Sequence, residues 1–185
     1  MLQEKESCMD KIKTGLAAFG MSGQVFHAPF ISTNPHFELT AITERSKELS
    51  KMKYPQSRIV RSFEELIGME ELELVVVNTP DSSHYEYARR ALEAGKHVIV
   101  EKPLAPTAAQ TEELVNLARH KKVFLFEAIT TQYLENYAKI RELLPRIGTV
   151  KLVQCNFSQY SSRYDAFCAG DVQPAFDPAC AGGAL

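Results

Sequence analysis

Lys13-Thr14-Gly15-Leu16-Ala17-Ala18-Phe19-Gly20-Met21-Ser22-Gly23 is the stretch on which the reading of the fold turns. Its apolar part predicts a strand over 13–19, and a helix is expected over 23–32. Between them, Gly20 and Gly23 fill the second and third glycine positions of a dinucleotide fingerprint, with Ala18 in the first. In that pattern the middle glycine lets the backbone approach a pyrophosphate, and the last allows close helix-to-strand packing. The helix amino end supplies free N–H groups and a partial positive charge. Alanine in the first position excludes only turn geometries of positive φ. A strand-to-helix turn without a ligand is the plain alternative, and the surrounding pattern decides between the two.

That pattern alternates short apolar runs with amphipathic segments, which predicts repeated βαβ units and a parallel sheet. Strands are expected at 37–43, 58–61, 74–78, 97–101 and 123–126, for a sheet of about six strands. The run Leu74-Val75-Val76-Val77 is β-branched and continuous, so it belongs in the sheet centre with both faces buried. Helices are expected at 46–53, at 82–94 with Gly95 as the left-handed stop, and after two capping boxes, Ser62-Phe63-Glu64-Glu65 and Thr107-Ala108-Ala109-Gln110. Past Glu127 the character changes. Residues 137–144 read as a helix stopped by Pro145, and 149–159 as a strand with one buried face. Residues 160–185 are rich in Gly, Pro, Ala and Asp and have no period, so regular structure of their own is not expected there.

The chain has 185 residues, 45% of them apolar, enough for one full core and a remainder. The expected domains are a polar leader over 1–10, a dinucleotide-binding domain over 11–128, and the incomplete start of a second domain over 129–185. A net charge of -2 with scattered lysines and arginines gives no basic stripe for nucleic acid. No apolar run approaches the ~20 residues of a membrane span, and no secretory leader is visible, so a cytoplasmic protein is expected. Cys8, Cys155, Cys168 and Cys180 are far apart and form no Cys-x-x-Cys pair, which predicts reduced thiols and no metal site.

Candidate site residues sit where strands end. Lys102, between Glu101 and Pro103, follows the run His97-Val98-Ile99-Val100 at the carboxyl end of a buried strand, where open α/β sheets bind ligands. A solvated strand-end lysine is the alternative from position alone. Glu44 lies about 20 residues beyond the glycine turn, where an acid accepts the adenosine ribose hydroxyls, which favours NAD. Arg45 beside it can instead stack on adenine or meet a 2′-phosphate, which leaves NADP open. Asn78-Thr79-Pro80, with His84 just beyond, forms a loop across the switch point from the glycine turn, although turn chemistry alone would also suit it. Phe19, Gly20, Met21, Ser22, Gly23, Glu44, Arg45, Asn78, Thr79, Pro80, His84, Glu101 and Lys102 therefore make up the expected cofactor site. His27, His36, His97 and His120 show no ligand spacing and read as structural or exposed.

Residues 15–29, Asn78-Thr79-Pro80 with His84, Gly95-Lys96-His97-Val98 and Glu101-Lys102-Pro103 together resemble the Gfo/Idh/MocA oxidoreductases. The resemblance implies a Rossmann domain, a doubly wound and mostly parallel sheet, followed by the start of an α/β substrate domain. It also implies NAD or NADP as cofactor and hydride transfer to or from a sugar-like polyol or carbonyl compound. Lys102 would be the catalytic lysine of a Glu-Lys-Pro signature, contacting cofactor and substrate, with a proline that is commonly cis. By the same resemblance the chain is expected to stop before a further substrate-side segment, to be inactive alone, and to lack the sheet through which intact relatives form homo-oligomers. A dinucleotide-binding module without catalysis, or a cofactor-sensing regulator, is the competing expectation.

Overall fold

The computed structural model describes residues 10–156, 158, 160–161, 163–172 and 176–177. The expected leader, apart from Asp10, and the last eight residues, with Cys8 and Cys180, lie outside them. The described chain divides into two compact units, up to Glu127 and from Ala128.

The first unit is a six-stranded parallel sheet. Its strands are β1 (Ile12–Leu16), β2 (Phe37–Thr43), β3 (Arg58–Val60), β4 (Leu74–Val77), β5 (His97–Val100) and β6 (Leu125–Glu127), in the order β3-β2-β1-β4-β5-β6. This is the doubly wound Rossmann arrangement expected from the sequence. The order reverses between β1 and β4, so the chain leaves these neighbouring strands in opposite directions and opens a crevice at their carboxyl ends. All four residues of β4 are buried, as a central strand requires. Period two sends Val75 and Val77 into one apolar cluster and Val76 into another, one on each face. Each such side chain contributes roughly 1.5–3 kcal/mol by leaving water.

The helices of the first unit are α1 (Ala28–Thr33), α2 (Phe63–Ile67), α3 (His84–Glu93) and α4 (Ala108–Lys121). Leu66, Leu92 and Leu114, one from each of α2, α3 and α4, close the first cluster, while Ala28 of α1 packs into the second with Leu16 and Ile42. Both expected capping serine/threonine contacts form: Ser62 accepts the N–H of Glu65, and Thr107 that of Gln110. The return contact differs, because the Glu65 carboxylate takes the N–H of Arg61, one residue earlier than a capping box predicts. Gly95, at φ +76°, ends α3 as expected, while α4 ends on Lys122 at φ 57°. The buried Lys96 ammonium donates to the Met69 and Leu72 carbonyls, 2.7 and 2.8 Å away, tying the approach to β4 to that of β5.

Two expectations for this unit change. The first strand stops at Leu16, three residues short of the expected 13–19, because only Ala17 still bonds along the sheet, to the Val76 carbonyl, before a side chain takes over at Ala18. The expected helix over 46–53 is a series of turns. Two N–H groups inside that span, at Leu49 and Ser50, bond to the Glu44 carboxylate instead of to helix carbonyls.

In the second unit, α5 (Glu135–Leu143) runs into a 3-10 turn over Leu144–Ile147 that contains Pro145. The expected strand over 149–159 does not form among its described residues, where Leu152 and Val153 are exposed. A strand needs a neighbouring ladder, and the described residues of this unit contain no other strand. A short helix, α6 (Tyr164–Cys168), does form where no regular structure was expected, with the Tyr160 hydroxyl donating to Asp165. Cys155 and Cys168 are free thiols. No helix among the described residues is long and apolar enough to cross a membrane.

Candidate functional site

The glycine turn opens a helix that runs unbroken from Met21 to Thr33, wound as a π-helix over Gly23–His27. The Ala28 N–H reaches back five residues to the Gly23 carbonyl, and such widened turns are frequent at functional sites. Gly23 lies where a Cβ would stand 2.6 Å from the Ala18 carbonyl oxygen and 2.8 Å from the Asn78 amide nitrogen, so only glycine lets the helix approach this closely. At Gly20 a Cβ would meet nothing within 4 Å, so the protein itself leaves that side open.

Asn78, buried at the end of β4, holds the turn from below. Its Oδ1 accepts the Ala18 N–H at 3.0 Å and its Nδ2 donates to the Ala18 carbonyl at 2.9 Å, an amide pair in place of the sheet ladder. The side chain placed by sequence along the cofactor is therefore spent on positioning the backbone that faces it. His84 moves further from its expected role. It is completely buried, with its ring nitrogens 2.8 Å from the Thr79 carbonyl oxygen and 2.7 Å from that of Pro103. The ring joins the loops after β4 and β5 and has no surface left for a ligand, which corrects its assignment to the cofactor site.

The loop after β5 carries Glu101 and Lys102, and the Lys102–Pro103 peptide is cis. Glu101 is mostly buried, and its Oε1 receives the Ser22 hydroxyl at 2.7 Å and lies 2.8 Å from His27 Nε2. Lys102 is exposed, and among the described residues its ammonium has no partner. The His27 hydrogen bond is the main cause holding Glu101 down from the ordinary 4.5 to about 2, with burial opposing it and the Ser22 hydroxyl helping. A depressed carboxylate contributes stability that is complete above its unfolded value and is lost as pH falls through its folded value. Glu101→Gln is therefore expected to cost about 2–3 kcal/mol at neutral pH, with the difference from wild type fading between pH 4.5 and 2. Urea unfolding across that range measures it, and a pH-independent difference would contradict the assignment.

A cleft of about 590 Å³ lies at the switch point. Of the expected residues, Phe19, Gly20, Glu44, Arg45 and Thr79 line it, whereas Met21, Ser22, Gly23, Asn78, Pro80, His84, Glu101 and Lys102 do not. Phe19 contributes backbone, since its ring is buried edge-on against Tyr54. The sequence reading missed Gln24, Thr43, Ser46, Lys47 and Arg61 in this lining, as well as the part of His27 in fixing Glu101. Ser46 and Lys47 were hidden in the expected helix, and nothing local marks Arg61 or His27.

With this geometry in place, comparison with known proteins decides the family. Residues 12–129 match the GFO_IDH_MocA model, the oxidoreductase family with an NAD-binding Rossmann fold. The chain belongs to that family. It is 36% identical over 152 residues to the scyllo-inositol 2-dehydrogenase (NADP(+)) IolU of Bacillus subtilis, covering 80% of this chain and 46% of that protein. It is 39% identical over 127 residues to the D-xylose 1-dehydrogenase (NADP(+)) of Hypocrea jecorina, covering 66% of this chain and 32% of the relative. A Bacteroides fragilis crystal structure superposes with a TM-score of 0.70 at 59% identity, over 75% of this chain and 41% of that one. The 3-ketoreductase KijD10 of Actinomadura kijaniata, solved with NADP, superposes with a TM-score of 0.70 at 27% identity, over 74% and 43%. The chain thus spans under half the length of the relatives it matches.

The residues present fit a nicotinamide dinucleotide. The open side of Gly20 borders the cleft. Thr43 Oγ1, which among the described residues is the one buried side-chain polar atom without a partner, belongs to a residue of the same lining. A buried hydroxyl left unpaired costs free energy unless something satisfies it, and a ligand in this cleft can.

Proposed function

We propose that this chain forms the dinucleotide-binding part of an oxidoreductase that interconverts a sugar-like polyol and its carbonyl compound. The observation that carries the reading is the bonding of Ser22 and His27, on the glycine-turn helix, to Glu101, the residue immediately before Lys102. The phosphate-binding turn and the ammonium-bearing loop are thereby fixed to each other. Bound at this site, a nicotinamide supplies the hydride acceptor or donor.

In this reading the backbone at Gly20 faces the dinucleotide phosphates, and Asn78 keeps it in place through Ala18. Glu101 is held by Ser22, His27 and the Lys102 backbone N–H, and it forms no ion pair with the Lys102 ammonium. Lys102 Nζ donates a hydrogen bond to the substrate oxygen and holds or delivers its proton as the carbon changes oxidation state. Residues 129–185 are the start of a substrate domain, and the substrate is a small molecule. The inositol and xylose dehydrogenases among the relatives support the polyol class.

The test follows reduced-nicotinamide absorbance in the full-length protein with NADP or NAD and a panel of inositols, aldoses and their carbonyl forms. Reduction of the cofactor by at least one of these polyols or sugars is expected. Tight dinucleotide binding without turnover on the whole panel would overturn the catalytic reading in favour of a binding module.

A further inference from the structure

We infer that the buried ring of His84 is an imidazolium, and that it is the positioning residue that sets the Lys102 loop against the cleft wall at Thr79. The positioning role rests on the oxidoreductase reading above, whereas the charge of the ring does not.

His84 opens α3 and is 0% exposed, so both ring nitrogens must be satisfied from within the protein. Nε2 lies 2.8 Å from the Thr79 carbonyl oxygen and Nδ1 lies 2.7 Å from that of Pro103. A carbonyl oxygen only accepts, so each contact needs an N–H on the ring side. Either neutral tautomer has a single N–H and would set the lone pair of its other nitrogen against a carbonyl oxygen at hydrogen-bond distance. The imidazolium satisfies both acceptors, through charge-assisted bonds roughly twice as strong as neutral ones.

Burial and the positive amino end of α3 oppose the charge. The helix end is worth less than one hydrogen bond between a charged donor and a buried acceptor, and two carbonyl dipoles replace the water that burial removes. Among the described residues no carboxylate bonds to the ring. Of the acids on the surrounding segments, Glu101 is held by Ser22 and His27, Glu113 by the Tyr85 hydroxyl and Glu127 by the Leu104 N–H, while Asp81, in the turn before α3, makes no bond to the ring.

The two carbonyls belong to the two loops that meet at the site. Thr79 lines the cleft, and Pro103 directly follows Lys102, which is exposed and has no side-chain partner of its own among the described residues. The glycine-turn helix holds Glu101 on one side of Lys102, and His84 holds the Pro103 carbonyl on the other, so the backbone at Lys102 is fixed at both ends. Releasing one end misplaces the ammonium, and a shift of about 1 Å at a reacting group costs up to about 10²-fold in rate.

Long-range nitrogen–proton correlation spectra of the histidine-labelled chain at neutral pH test the charge directly. His84 is expected to show both ring nitrogens protonated, with two N–H protons slow to exchange with solvent. A neutral tautomer, with one nitrogen unprotonated, would overturn the inference. Both N–H signals are expected to move on saturation with NADPH, because Thr79 lines the cleft, and unmoved signals would overturn the link to the site. In the full-length protein, His84→Gln is expected to lower kcat by about 10–100-fold while the dinucleotide KM stays within about threefold. Unchanged kcat, or a loss carried by the dinucleotide KM alone, would overturn the positioning role. If that variant does not fold, the wild-type ring spectrum and its response to NADPH decide. Failure of the wild-type protein to turn over any polyol or sugar would overturn the oxidoreductase reading instead, and the ring spectrum would still decide the charge.

Discussion

Gly23→Val is expected to abolish dinucleotide binding and to destabilise the first unit by roughly 3–5 kcal/mol. The new Cβ would stand 2.6 Å from the Ala18 carbonyl oxygen and 2.8 Å from Asn78 Nδ2. Neither neighbour can give way alone, because each is the other's hydrogen-bond partner at 2.9 Å. To make room, the helix must lift off the strand or Asn78 must swing out and leave a backbone pair unsatisfied in a largely buried place. Either movement displaces the turn that faces the phosphates. Gly20→Ala separates this packing role from a ligand role. Its Cβ meets no protein atom, so stability is expected to stay within about 0.5 kcal/mol while dinucleotide affinity falls. Urea unfolding and calorimetric titration of the two variants give the comparison. A Gly23→Val protein that folds and binds like wild type would refute the proposed packing.

Lys102→Met is expected to lower kcat by about 10²–10³-fold in the full-length protein while changing dinucleotide affinity by less than about threefold. The division follows from the site. Lys102 does not line the cleft at the switch point, and its side chain has no protein partner among the described residues, so removing its charge breaks no contact seen here. Stability is expected to move by no more than about 0.5 kcal/mol. The role assigned to the ammonium is exerted on the substrate oxygen, and methionine keeps much of its length and none of its proton. Unchanged kcat would refute that role, and a loss confined to dinucleotide affinity would make Lys102 a binding residue instead.

What could be read from the sequence was whatever short-range patterning encodes. The β-branched run at 74–77 announces a strand buried on both faces, Ser62 and Thr107 announce helix starts, and the alternation of the two kinds of segment yields the parallel sheet. The strand-end positions of Glu44, Thr79 and Lys102 follow from the same reasoning. What escaped depends on pairs distant in sequence. Asn78 meets Ala18 across 60 positions and His27 meets Glu101 across 74, and no periodicity connects them. Glu44 misled because its carboxylate turns inward to bond Leu49 and Ser50, which replaces the expected helix over 46–53. His84 was expected at the cofactor because it lies just beyond the loop across the switch point from the glycine turn, and only its burial between two carbonyl oxygens shows otherwise. The strand expected over 149–159 alternates correctly, yet alternation marks a face and supplies no neighbouring strand.

The central claim is that the crevice between the carboxyl ends of β1 and β4 binds a nicotinamide dinucleotide. Amide proton–nitrogen correlation spectra of the chain, recorded during titration with NADPH, test it residue by residue. Saturable shifts are predicted at Gly20, Ser22, Thr43, Arg45, Lys47 and Thr79, with α4 and β6 unaffected. Spectra that do not change, or shifts confined to residues away from the glycine turn and the end of β2, would contradict it.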